Sequence, residues 1–141
     1  MRPLLVTVIL AFVIGNVSAQ TAAEYVAKGK TKYAKSDYSG AKLDYNKAIE
    51  LDPKFAEAYF ERGNLKAELM DYSNAITDYD NAIALDSAYT QAWNARGLAK
   101  ANLQDYNGAM ADYDKAIALD PKYAQAYYNR GFVKYKKGDK D

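Results

Sequence analysis

The stretch AEAYFERGNLKAELMDYSNAITDYDNAIALDSAY, Ala56–Tyr89, runs directly into TQAWNARGLAKANLQDYNGAMADYDKAIALDPKY, Thr90–Tyr123, and the two superimpose column by column. The register extends in both directions. Gly29, Gly63, Gly97 and Gly131 recur every 34 residues, each with an aromatic four residues earlier: Tyr25, Tyr59, Trp93 and Tyr127. Behind each of the first three glycines follow matching columns: Tyr38, Tyr72 and Tyr106; Ala41, Ala75 and Ala109; Tyr45, Tyr79 and Tyr113; Ala48, Ala82 and Ala116; Ile49, Ile83 and Ile117. Self-similarity at such a period means one supersecondary unit stacked along an axis. Stacked units form extended concave surfaces and not closed catalytic pockets, which tilts function toward binding.

Each unit reads as two antiparallel helices. In Tyr38–Leu51, Ala41, Tyr45, Ala48 and Ile49 fall at spacings of three and four, one stripe of a helix and not the alternation of a strand. The first half, such as Ala56–Leu69, is rich in good helix formers. Asp37, Asp71 and Asp105 stand just ahead of the second helices as N-caps. Asp52-Pro53 and Asp120-Pro121 close two units, since proline cannot continue a helix. Ser87 takes the proline's place at the middle junction, which predicts a smoother bend there. A mid-helix glycine costs about 1 kcal/mol against alanine. Its recurrence predicts close backbone approach, with the repeated alanines opposite and the tyrosines filling gaps between units as core.

Aromatic-x-x-x-Gly followed by Ala-x-x-x-Tyr, Ala and Pro at these offsets resembles the tetratricopeptide repeat. The resemblance covers Ala22 to the C-terminus, and the units it implies are residues 22–55, 56–89 and 90–123, with 124–137 as a partial fourth or capping helix and 138–141 as a tail. It implies an all-α fold: a right-handed superhelical solenoid of three full repeats plus one terminal helix. Two columns depart from the family pattern. Lys28, Arg62, Arg96 and Arg130 replace a leucine before the glycine, and Lys32, Lys66, Lys100 and Lys134 replace an aromatic after it.

Residues 1–19 read as a secretory signal peptide. Arg2 gives a positive start, Leu4–Ile14 is apolar apart from Thr7, and Val17-Ser18-Ala19 places small residues before a cleavage point ahead of Gln20. The apolar run is short for a membrane span, which needs roughly 17–25 residues, and an uncleaved N-terminal anchor is the alternative. The chain carries formal charge +1, and removal of Arg2 with the leader leaves the rest near neutral. With no cysteine and no Asn-x-Ser/Thr acceptor after residue 19, the destination that fits is a bacterial periplasm or the exterior. Without histidine or cysteine, Cys/His zinc sites and Ser-His-Asp or Cys-His catalysis are excluded. No phosphate loop or paired-carboxylate motif stands out, so neither enzyme activity, nor a metal, nor a cofactor is expected.

Three features remain as candidates. The first is the basic ladder of Arg62, Lys66, Arg96 and Lys100, in register with Asp44, Asp78 and Asp112 on the second helices. Cross-pairing would neutralise both ladders, and the balanced charge argues against nucleic acid, which calls for an uncompensated patch. The second is a protein or peptide groove. In the resembled family one face of the first helices lines it; carried onto this chain, that face includes Val26, Lys30, Tyr33, Phe60, Asn64, Ala67, Asn94, Leu98, Ala101, Tyr128, Phe132 and Tyr135. Exposed aromatics beside amides suit peptide binding, although Tyr128, Phe132 and Tyr135 equally suit a cover for the end of the stack. The clamp that some members use for chaperone tails is not evident, because Val26 and Ala95 stand where polar or basic residues would be needed. The third is the only partly polar helix Ala124–Lys137, either a cap or a flank that docks on a partner or, weakly, on a second copy. The sequence therefore points to a non-catalytic interaction module, an adaptor or assembly factor of the cell envelope, with a self-associating structural element as the alternative.

Overall fold

A computed structural model describes residues 20–138; the predicted signal peptide, 1–19, and residues 139–141 of the predicted tail lie outside the described residues. The described residues form seven helices and no strand: α1 (Ala22–Ala34), α2 (Tyr38–Leu51), α3 (Ala56–Glu68), α4 (Tyr72–Leu85), α5 (Thr90–Asn102), α6 (Tyr106–Leu119) and α7 (Ala124–Lys137). The fold is an all-α solenoid.

Helix ends follow the chemistry of their residues. Thr21 and Glu24 form a reciprocal capping box at the start of α1. Asp37 and Asp105 accept from the backbone N–H groups of Gly40 and Gly108 at 2.9 and 3.0 Å. A Cβ at either glycine would come within 2.2 Å of the capping carboxylate. Asn74 has a Cβ in that position, and there the bond to Asp71 lengthens to 3.5 Å while the Asn74 amide side chain adds bonds of its own. The turn from first to second helix passes through a left-handed residue, Ser36, Met70 or Gln104, each with φ near +60°.

Glycine and tyrosine meet within a unit. A Cβ at Gly29, Gly63 or Gly97 would lie 2.4–2.7 Å from the ring of Tyr45, Tyr79 or Tyr113. The ring therefore lies against the glycine, joined at Gly97 by the Ala109 carbonyl oxygen. Its other side packs into the next unit, where Leu65 joins the cluster of Tyr45, Ala99 that of Tyr79 and Val133 that of Tyr113. Each tyrosine thus closes its own hairpin and the joint beyond it.

The junctions are alike, contrary to the smoother bend expected at Ser87. Asp52, Asp86 and Asp120 share φ near −139° and ψ of 92–96°. Each accepts from the backbone N–H two residues on, of Lys54, Ala88 or Lys122. The next aromatic then donates to the backbone carbonyl of the following residue: Tyr59 to Pro53, Trp93 to Ser87 and Tyr127 to Pro121. The aspartate and the aromatic set the bend, so the proline is dispensable.

The odd-numbered helices touch one another in sequence, α1 with α3, α3 with α5 and α5 with α7, whereas α2, α4 and α6 touch only first helices. Closer approach along one layer curves the stack and leaves the odd helices on its inner side.

Candidate protein-interaction site

The basic ladder is occupied within the fold. Arg62 donates through Nε and Nη2 to Asp78 at 2.9 and 2.7 Å, and Lys66 reaches the same carboxylate at 2.7 Å. Arg96 and Lys100 repeat this on Asp112, and Lys32 pairs with Asp44 at 2.7 Å. The remaining guanidinium nitrogen of each arginine reaches back to the preceding unit, Arg62 to Asn46, Arg96 to Asp80 and Arg130 to Asp114. Each arginine also stacks on the aromatic three residues earlier, Tyr59, Trp93 or Tyr127. Asp78 and Asp112 are buried. These charges hold hairpins together and strap units in series, so among the described residues Arg62, Lys66, Arg96 and Lys100 are not free for an anionic ligand.

The inner layer forms two adjoining cavities. One, of about 410 Å³, is lined by Tyr33, Glu61, Asn64, Glu68, Asn94 and Leu98, among others. The second, of about 270 Å³, includes Leu98, Asn102, Asn129, Phe132 and Lys136. Leu98 and Asn102 line both, so the two make one trough along α3, α5 and α7.

The predicted face is only partly this surface. Tyr33, Asn64, Ala67, Asn94, Leu98, Ala101 and Phe132 line the trough, and Val26 is buried in the core. Lys30 lies beside it, paired with Glu57 and Glu61 at 3.2 and 3.1 Å; those hydrogen bonds, first Glu61 and then Glu57, raise its pKa. Phe60 packs inward against Tyr89 and Tyr79, with ring centroids 4.8 and 6.0 Å apart. Asn94 is buried and accepts from Asn129 at 3.0 Å. Tyr128 and Tyr135 are exposed at the end of the stack, away from both cavities.

Glu61, Glu68, Asn102, Asn129 and Lys136 line the trough and were not among the sequence candidates. Each follows a residue of the predicted face by one position. Side chains on a helix lean toward its N-terminus, so a surface spot is covered by a residue about one position C-terminal to it. The Tyr33 hydroxyl donates to Glu68 at 3.4 Å, and burial, followed by the Glu68 charge, raises the pKa of this phenol. The trough is acidic toward α3, amide-lined in the middle, and toward α7 sets Phe132 and Val133 beside the Lys136 ammonium.

Profiles of two repeat families match the chain: a TPR repeat at residues 29–69 and 101–138, and a tetratricopeptide repeat at 56–89. The chain belongs to the tetratricopeptide repeat family. Its fold is similar to the first TPR domain of Spaghetti (RPAP3) bound to the HSP90 peptide SRMEEVD, with 26% identity, 86% of this chain and 97% of that chain covered, and a TM-score of 0.82. The second TPR domain of human RPAP3, in complex with the HSP70 peptide SGPTIEEVD, is 26% identical over 80% of this chain and 94% of that chain, TM-score 0.77. The crystal structure of MamA is 28% identical over 85% of this chain and 70% of that chain, TM-score 0.80. No curated protein sequence matches the chain significantly. Among the described residues, no helix is long and apolar enough to cross a membrane.

Proposed function

We propose that the chain is a non-catalytic protein-interaction module that holds an extended segment of a partner protein along the trough. The observation that carries this is the pair of cavities joined at Leu98 and Asn102. The peptide complexes of the RPAP3 domains support the class of ligand. Their peptides carry acidic C-terminal residues, whereas this trough carries Glu61 and Glu68 with Glu57 beside it, against Lys30 at one end and Lys136 at the other. The partner segment is therefore neutral or basic where it meets α3, and apolar near Leu98 and Phe132.

Two labelled peptides test this, SRMEEVD and its charge-reversed form SRMKKVK. The basic peptide is expected to bind at least tenfold more tightly, to weaken with salt, and to lose its advantage in Glu61→Gln/Glu68→Gln. Tighter binding of the acidic peptide, or no perturbation of trough residues by either, overturns the reading.

The proposal places the module outside the cytoplasm of a bacterium, on the strength of the leader-like residues 1–19. N-terminal sequencing of the exported chain should start at Gln20; retention of Met1 refutes cleavage, and retention of the whole protein in the cytoplasm refutes export. A second reading, self-association through the last helix, draws on the exposed rings of Tyr128, Phe132 and Tyr135. Sedimentation over a concentration series decides it, a strict monomer removing self-association.

A further inference from the structure

We propose that the outer face of α7, formed by Tyr127, Arg130, Gly131 and Lys134, is a docking site for a helix of a partner protein bearing the pattern Ala-x-x-Asp-Tyr-x-x-Ala-Ile. The same face occurs three times inside the molecule, on α1, α3 and α5, and each time it is covered by such a helix: α2 with Asp44 and Tyr45, α4 with Asp78 and Tyr79, α6 with Asp112 and Tyr113. The aspartate takes the cations of the first helix, and the tyrosine ring lies on its glycine.

Helix α7 repeats the receiving half of this arrangement. Among the described residues, Arg130 keeps its backward bond to Asp114 at 2.6 Å, but Nε and Nη2, which Arg62 and Arg96 give to an aspartate, find no acceptor. Lys134 makes no ion pair among them, whereas Lys32, Lys66 and Lys100 each hold a carboxylate. Gly29, Gly63 and Gly97 are buried; Gly131 is exposed, and a Cβ there would meet nothing within 4 Å. A stacking ring, two cations and a bare stretch of backbone thus sit where the internal copies receive an Asp-Tyr pair. A second copy of the chain is a poor occupant. Its own Asp-Tyr helices are committed, with Tyr45, Tyr79 and Tyr113 no more than 2% exposed.

The probe is the peptide DYNGAMADYDKAIALD, residues 105–120, titrated into the isotope-labelled full chain and, separately, attached behind Asp141 by a flexible Gly-Ser linker so that weak helicity is offset by millimolar effective concentration. The expected result is saturable amide shifts centred on Tyr127–Lys134. Binding should fall at least tenfold with Gly131→Ala in the chain or Asp112→Asn in the peptide. Gly131→Ala leaves the free fold intact, since its methyl meets open space, and blocks the ring. Four results overturn the proposal: no shifts in either form, shifts centred on Leu98 and Asn102, unchanged affinity in Gly131→Ala, or a dimer of the chain that Gly131→Ala abolishes. Loss of trough binding by SRMKKVK leaves this face untouched, so the two proposals fail separately.

Discussion

Asp78 is 1% exposed and presents both carboxylate oxygens to two cations. Removing it strands Arg62 and Lys66, each still about one-fifth exposed, so water recovers part of the loss. Asp78→Ala is expected to cost about 2–3 kcal/mol by urea denaturation. The exposed Asp80→Ala should stay within about 1 kcal/mol; overlapping curves for Asp78→Ala and wild type would remove the pairing argument. Tyr113 differs from Tyr79 in one bond. The Tyr79 hydroxyl donates to Asn64 at 2.9 Å, while that of Tyr113 has no partner among the described residues. Tyr113→Phe is therefore expected to be neutral or stabilising by up to about 1 kcal/mol, and Tyr79→Phe to cost about that much. Burial, then the Asp112 charge, pushes Tyr113 up to about 12. An unfolded tyrosine ionises near 10, so between about 10 and 12 the unfolded chain releases protons that the folded chain keeps. This contribution is intact below pH 10 and is lost as pH climbs toward 12; alkaline melts should show a shallower fall in Tyr113→Phe.

Among the elements, the helices were readable because their pattern is local: stripes at three and four, aspartate caps and breaks after Leu51 and Leu119. The glycine column was readable as a close approach, but not which side chain approaches, because a ring and an alanine both recur in phase. Nor did the letters Ser, Met and Gln at 36, 70 and 104 announce a left-handed backbone; tertiary closure of the hairpin imposes it. Met70 is 74% exposed. Met70→Gly should gain roughly 0.5–1 kcal/mol by relieving a conformation that costs a side-chain-bearing residue about 1–2 kcal/mol. Gly63→Ala brings a methyl 2.7 Å from Tyr79 and should lose about 1–3 kcal/mol despite alanine's better helix propensity. The trough extends one residue beyond the predicted face: Glu61, Glu68 and Lys136 each follow a position of that face, and apart from Lys30 the charge lies in this adjoining row.

Across the whole molecule, the family resemblance gave the stacking order, while burial of Asn94 against Asn129 and packing of Phe60 on Tyr79 and Tyr89 depend on residues outside their own helices. A chain whose helices touch only near neighbours loses stability locally. Val133 is 1% exposed over Tyr113. Val133→Ala should cost about 2 kcal/mol, and hydrogen exchange should accelerate in α6 and α7 while α1 and α2 keep their protection; uniform acceleration would mean the stack opens as one body.

Arg62 and Arg96 each reach sixteen positions forward and sixteen back, to partners set by the repeat alone. A duplicated Ala56–Tyr89 spliced in after Tyr89 would meet a matching fastening at either seam. Tandem duplication of that DNA segment would then lengthen the array with every joint remade, which makes copy number the variable that evolution can change in this chain with least disruption.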